Sequence, residues 1–144
     1  MKRMPAIKAV MTAFPYSVDA DAPVSEAQAF MRKHQIRHLP VTEAGELVGA
    51  ISDRDIKLIL GPDFAYPDAK GTRVRDAMLR DAYVVDLDTR LDDVLAHMAE
   101  HHIGSAIITR KGKLAGVFTV TDACRHFAEF LRDQVRRSGG GEAA

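Results

Sequence analysis

A short motif that joins a glycine, a hydroxyl side chain and an aspartate occurs twice in the chain. The two copies are Gly49-Ala50-Ile51-Ser52-Asp53-Arg54-Asp55 and Gly116-Val117-Phe118-Thr119-Val120-Thr121-Asp122. Each copy joins an apolar run to a helical pattern, so the free N–H groups of a helix start lie beside a hydroxyl that can donate to phosphate. The aspartate can accept hydrogen bonds from ribose hydroxyls, and the glycine lets another group approach the backbone closely. This combination fits a nucleotide.

The same residues also have a purely structural explanation. Ser52-x-x-Asp55 and Thr119-x-x-Asp122 both match a capping box, in which the two side chains satisfy the backbone of a helix N-terminus. A capping box needs no ligand, and on these residues alone it is favoured over nucleotide binding.

The two motifs end the two copies of an internal repeat. Residues 11–55 align with residues 78–122 without a gap, at a shift of 67 positions, and 14 of the 45 aligned positions are identical. Such a match indicates two copies of one supersecondary unit. A unit this small needs its sister to cover its apolar face.

Each copy predicts the element order β-α-β-β-α, and the chain is therefore predicted to be α+β. Apolar residues at helical spacing predict a helix over 24–31, with Pro23 as its first residue, and one over 91–98, where Thr89 and Asp92 form a capping box. The predicted strands are 16–18, 39–41, 47–51, 83–85, 106–108 and 114–118, with hairpin turns at 43–46 and 110–113 and closing helices at 54–60 and 123–137. The predicted domains are a first unit at 1–60, a linker at 61–73, a second unit at 74–137 and a flexible tail at 138–144.

Composition excludes several classes of function. Lys+Arg and Asp+Glu both number 20 in the 144 residues, so no global field attracts nucleic acid or a membrane surface. The single cysteine, Cys124, cannot form an intramolecular disulfide, which fits a cytoplasmic protein. Neither a secretory signal nor a membrane helix is predicted.

The repeated unit resembles a cystathionine beta-synthase (CBS) domain. The resemblance rests on Ile36-Arg37-His38-Leu39-Pro40-Val41, the turn at Gly45 and the ending G-x-x-[ST]-x-x-D, and it covers nearly the whole chain. The tandem resembles a stand-alone CBS pair, or Bateman module, because no catalytic or DNA-binding segment accompanies it. The resemblance implies a regulatory module that is not an enzyme, with two units related by a pseudo-two-fold axis.

The resemblance also implies two clefts for adenosine-containing ligands, namely AMP, ADP, ATP or S-adenosylmethionine, with no catalytic cofactor and no metal. In the first cleft, Ser52 would face phosphate and Asp55 the ribose. The other implied residues are Ala50 and Ile51 at the base, Arg37, His38 and Pro40 from the preceding strand, and Tyr83 and Val84 closing the cleft.

The implied second cleft departs from this pattern. Its matching residues are Thr119, Asp122, Val117 and Phe118, closed by Phe14, Tyr16 and Ser17. Arg37-His38 is replaced by Gly104-Ser105, and Pro40 by Ile107. Losing the guanidinium removes a bidentate phosphate clamp, so we expect this cleft to prefer a less charged ligand or to stay empty.

Other chemistry-bearing residues have plainer explanations. His97, His101 and His102 lie near one helix face, but solvated or capping histidines are favoured over a metal site. Cys124 is predicted to pack, and Met11, Met31, Met78 and Met98 to fill the core.

The last predicted helix carries an apolar stripe of Phe127, Phe130, Leu131 and Val135. The stripe fits a homodimer contact and a longer core helix equally well. A second class of function therefore stays open, a protein-interaction or oligomerisation scaffold whose clefts bind no ligand, together with an unidentified regulated partner protein.

Overall fold

The computed structural model describes residues 3–13, 15–61 and 71–139. Over these residues the chain forms α1 (Ile7–Val10), β1 (Thr12–Ala13), β2 (Val18–Asp19), α2 (Val24–His34), β3 (His38–Glu43), β4 (Glu46–Ser52), α3 (Asp53–Leu60), α4 (Val74–Ala77), β5 (Val84–Asp86), α5 (Leu91–His101), β6 (Ser105–Arg110), β7 (Lys113–Thr119) and α6 (Val120–Arg137). The predicted α+β class and the two β-α-β-β-α units are confirmed.

Each unit builds its own sheet with the same pairing. In the first, β2 runs parallel to β3 and β3 is antiparallel to β4, while in the second β5, β6 and β7 repeat this order. Both hairpins turn through two residues with positive φ, Ala44-Gly45 at 52° and 80° and Lys111-Gly112 at 52° and 78°. Such two-residue turns match the right-handed twist of the strands, which confirms the predicted hairpins.

The start of each repeat packs onto the other unit. Ile7 and Val10 of α1 lie in the second core with Phe118, and β1 pairs antiparallel with β7. Symmetrically, Val74 of α4 lies in the first core, and Leu79 forms an isolated bridge with Ala50 of β4. Each structural unit therefore draws on both halves of the sequence.

This exchange explains the glycines of the two motifs. A Cβ atom on Gly49 would lie 2.5 Å from the Leu79 carbonyl oxygen, and one on Gly116 would lie 2.5 Å from Met11 Sδ and 2.8 Å from the Thr12 carbonyl oxygen. The group that approaches these glycines is thus the exchanged segment, so the predicted close approach to the backbone is confirmed, and the protein's own chain makes it.

Two predicted helix starts are also wrong. Pro23 is the N-cap of α2 and not its first helical residue. The N-cap of α5 is Arg90, with no side-chain capping bond, so Thr89 does not cap this helix. The physical reason is that Asp92 accepts two hydrogen bonds from the Arg90 guanidinium, at 3.1 and 3.0 Å, and such a charge-assisted pair competes with a neutral cap.

The long helix α6 packs against the second core at its start, and its later turns extend away from that core. Ala123 is partly buried against the second core, whereas Phe127 is 60% exposed, and Phe130, Leu131 and Val135 are also exposed. Leu60, the repeat equivalent of Phe127, is buried in the first core. The apolar stripe is therefore not part of a longer core helix, and Cys124 is exposed, so its predicted packing is wrong.

Candidate functional site

A cavity of about 750 Å³ opens between the two units at the start of α3; we call it the inter-unit cavity. This volume lies within the range of about 300–1,000 Å³ that is usual for small-molecule sites. The structure brings seven of the residues predicted for the first cleft onto its wall: Arg37, His38, Ala50, Ile51, Ser52, Asp55 and Tyr83.

Two predicted residues of the first cleft do not line this cavity. Val84 follows Tyr83 in an extended segment and its side chain is 44% exposed, because successive side chains of a strand point to opposite faces. Pro40 is buried in β3, opposite Ala50 of β4.

The α3 N-terminus is closed by its capping box. The Ser52 N–H donates to Asp55 Oδ2 at 2.8 Å, and the Asp55 N–H donates to Ser52 Oγ at 3.1 Å. The Asp53 N–H donates to the Arg37 carbonyl at 2.9 Å. The structural explanation of the motif is thus confirmed. Within the described residues, the Arg54 N–H, the Ser52 O–H and Asp55 Oδ1 have no hydrogen-bond partner at this turn.

Because most backbone donors are used, positive charge near an anion must come from side chains. Arg37, Arg54 and Lys57 line the inter-unit cavity, against the carboxylates of Asp53 and Asp55. Lys57 Nζ lies 2.8 Å from Asp53 Oδ2, in an ion pair along one helix turn. The arrangement offers cations for a phosphate and an acceptor for a hydroxyl.

The pKa of His38 is lowered on this wall. Burial lowers the pKa of its imidazole and the nearby Arg37 adds to that effect, while the charge of Asp55 opposes both. A Cβ atom on Gly104 would lie 3.2 Å from His38 Cε1, so the second unit contributes to this burial. A neutral imidazole can still donate or accept a hydrogen bond.

Sequence reasoning missed much of the wall that the second unit supplies. His102, Ile103, Gly104, Ser105 and Ile107 line the inter-unit cavity, together with Leu79 and Ala82 of the segment before β5. Gly104-Ser105 was assigned to the second cleft as a replacement of Arg37-His38, whereas the structure places both pairs on this cavity. The repeat shift was the available signal, because a pseudo-two-fold axis brings equivalent segments together.

The tyrosine that closes this cavity is held by histidines. The Tyr83 ring stacks on His97 at 4.2 Å, and His97 lies 4.3 Å from His101, between ring centroids. Burial raises the pKa of Tyr83, and the charge of Asp93 adds to this. His97 and His101 are therefore packing residues. In the described part of the chain, no group of three or more His, Cys, Asp or Glu side chains is placed to hold a metal.

The residues predicted for the second cleft are less open. Asp122 is 7% exposed, its Oδ2 accepts from the Thr119 N–H at 3.0 Å, and its Oδ1 accepts from Arg125 Nη1 at 3.3 Å. The residues Val117 and Phe118 are buried. Of the predicted closing residues, Tyr16 stacks on His34 at 4.1 Å, Ser17 is exposed, and Phe14 lies outside the described residues.

The chain belongs to the CBS domain family. The CBS domain model matches it twice, over residues 7–61 and 74–129, so the chain is a CBS domain pair. The uncharacterized protein YlbB of Bacillus subtilis is 34% identical over 122 residues, which are 83% of this chain and 80% of that protein. An inosine-5'-monophosphate dehydrogenase of Staphylococcus haemolyticus is 30% identical over 75% of this chain, which spans only 21% of the dehydrogenase.

Solved structures share the fold. A conserved uncharacterized protein of Pyrococcus horikoshii has a TM-score of 0.74 at 29% identity, covering 88% of this chain and 95% of that one. The CBS domain pair of protein MJ0100, in complex with 5'-methylthioadenosine and S-adenosyl-L-methionine, has a TM-score of 0.78 at 23% identity, covering 89% and 99%. Among the described residues of this chain, no helix is long and apolar enough to cross a membrane.

Proposed function

We propose that this CBS pair is a regulatory module that binds an adenosine-containing ligand, AMP, ADP, ATP or S-adenosylmethionine, in the inter-unit cavity. The observation that carries the proposal is the open carboxylate oxygen of Asp55 beside Arg37, Arg54 and Lys57, on a wall that both units build. The carboxylate would accept from ribose hydroxyls and the cations would hold phosphate. The adenosyl ligands of the similar MJ0100 pair support this ligand class.

Binding, and not catalysis, is the proposed activity. The Ser52 hydroxyl and the Asp55 carboxylate both cap α3, and neither is bonded to a histidine among the described residues. A ligand that touches both units binds best to one arrangement of them, and so shifts the population toward that arrangement. A partner protein that reads this arrangement, in the cytoplasm, would be the regulated target.

The repeat offers a matched control for testing the proposal. Asp55→Ala and Asp122→Ala remove the same capping carboxylate from the two units, and each loses about 1 kcal/mol of capping energy. Asp122→Ala also removes the ion pair with Arg125. We expect AMP, ADP, ATP or S-adenosylmethionine to raise the thermal midpoint of the wild type, because a ligand of the folded state stabilises it by mass action. The shift should be lost in Asp55→Ala and kept in Asp122→Ala. If none of the four ligands shifts the wild type, the proposal is wrong.

The exposed stripe on α6 favours a second candidate function, that of an oligomerisation scaffold. We propose that two copies pair through Phe127, Phe130 and Leu131, since a run of half-exposed large side chains on one helix face is typical of an interface. Light scattering should give a dimer for the wild type and a monomer for Phe127→Ser with Phe130→Ser. Val84→Ser, at another exposed apolar side chain, should leave the dimer intact. A monomeric wild type would contradict the pairing.

A further inference from the structure

A side cavity of about 450 Å³ adjoins the inter-unit cavity. Both cavities are lined by Arg37, Asp53 and Lys57, so these three residues belong to both walls. The side cavity continues to the last turn of α2, where Arg32 and Gln35 line it. Its volume far exceeds the roughly 30 Å³ of one liquid water. A ligand in the inter-unit cavity would reach the side cavity by passing these shared residues.

The side cavity is basic. Its wall carries three cations, Arg32, Arg37 and Lys57, against the single carboxylate of Asp53. Two primary amides, Gln28 and Gln35, add neutral donors. The last carbonyls of α2 bring some negative potential, but Met31 O and Arg32 O already accept hydrogen bonds from the backbone of residues 35 and 36. The balance of charge favours a multiply charged anion.

One of these cations, Lys57, is in an exposed ion pair that a ligand could replace. Lys57 is paired with Asp53 across a single turn of α3, and its side chain is 57% exposed. An exposed pair of this kind contributes little to stability. A phosphate near Lys57 can therefore take over its ammonium at small cost, and Arg37 and Arg32 line the same side cavity.

We propose that the side cavity is a polyphosphate subsite, which makes the inter-unit cavity selective for adenosine ligands with a phosphate chain longer than one. The proposal rests on the proposed function, because the adenosine part is taken to lie in the inter-unit cavity. The first phosphate lies at Arg37 and Lys57, and the distal phosphates reach Arg32. S-adenosylmethionine lacks such a chain, and AMP is too short to reach Arg32.

Calorimetric titrations of AMP, ADP and ATP in magnesium-free buffer test this selectivity. We expect the wild type to bind ATP about tenfold more tightly than AMP, the effect of one further charge-assisted contact. Arg32→Gln should weaken ATP about five- to tenfold and leave AMP within about twofold. Lys33→Gln removes an exposed cation from the adjacent position on the same helix, off both cavity walls, and should leave the ratio of ATP to AMP affinity unchanged.

Equal affinities of the wild type for AMP and ATP would overturn the subsite, and so would equal losses of both in Arg32→Gln. In either case, binding that depends on Asp55 would leave the proposed function standing. Inorganic tripolyphosphate tests the side cavity without an adenosine group. If it binds in a manner that depends on Arg32 while no adenosine ligand binds, the side cavity is an anion site only, and the selectivity for adenosine ligands fails together with the proposed function. If neither tripolyphosphate nor a nucleotide binds, both are wrong.

Discussion

The two capping boxes have the same backbone geometry but leave their carboxylates in different states. Asp122 uses Oδ2 for its helix N-terminus and Oδ1 for Arg125, whereas Asp55 uses only Oδ2 among the described residues. The difference comes from one position, because Leu58 is the repeat equivalent of Arg125. The residue three positions after the aspartate therefore decides whether the second oxygen of the capping carboxylate is already bonded.

The two units differ in a second way, in how each receives the exchanged segment of the other. Around Gly49, the atoms nearest to an added Cβ belong to the backbone of Leu79 and Arg80. Around Gly116, two of the three nearest atoms belong to the flexible side chain of Met11. The first unit is thus closed at this contact by backbone, and the second largely by a flexible side chain.

The largest expected effect is a loss of stability when alanine replaces the glycines that contact the exchanged segments. Gly49→Ala should destabilise the protein by about 2–3 kcal/mol, because backbone must move to admit the methyl group. Gly116→Ala should cost about 1–2 kcal/mol, since the Met11 side chain can rotate away although the Thr12 carbonyl cannot. Urea denaturation of both variants measures the two costs. An equal or reversed order would contradict the difference between the two contacts.

Exchanging Leu58 and Arg125, which lie three positions after the two aspartates, should remove the difference between the carboxylates. Leu58→Arg is expected to bring a guanidinium onto Asp55 Oδ1, as Arg125 does on Asp122, and so to weaken the binding of adenosine about fivefold. Adenosine is the right probe because it has no phosphate for the new cation to attract. Leu58→Gln, which removes the same apolar side chain without adding charge, should retain tighter binding than Leu58→Arg. Unchanged adenosine affinity in Leu58→Arg would speak against Asp55 as the ribose acceptor.

The reverse exchange should produce a smaller effect. Arg125→Leu frees Asp122 Oδ1, so we expect weak adenosine binding at the second cleft, within about tenfold of the first. The gain should disappear in Arg125→Leu with Asp122→Ala, as measured by calorimetric stoichiometry. If Arg125→Leu adds no binding, the second cleft is closed by more than this one ion pair.

The sequence predicted those features whose signal is local. The helices and hairpins follow from apolar periodicity and turn residues, and the capping boxes follow from the spacing between Ser52 and Asp55 and its repeat. The exchange of α1 and α4 between the units was not predictable, because elements of four residues have no periodicity and their contacts are distant in sequence. The contact of His38 with Gly104 was not predictable either, because the two residues are distant in sequence and only the packing of the two units brings them together.

The packing of His38 against Gly104 should make the free energy of unfolding depend on pH. Burial holds the pKa of His38 below its usual 6.5 in the folded chain, with Asp55 opposing and Arg37 adding to the shift. As pH falls through about 6.5, the unfolded chain takes up a proton at His38 that the folded chain does not, so the free energy of unfolding falls. This contribution is present above about pH 6.5 and is lost as pH falls toward the folded pKa. His38→Gln should therefore flatten the decline of the thermal midpoint between pH 7 and pH 5, because it removes the group whose pKa is lowered in the folded chain. Ser105→Ala, at the equivalent position of the second unit, should leave the decline unchanged, because serine does not titrate in this range. An equally steep decline in His38→Gln would mean that the inter-unit contact does not hold His38 neutral.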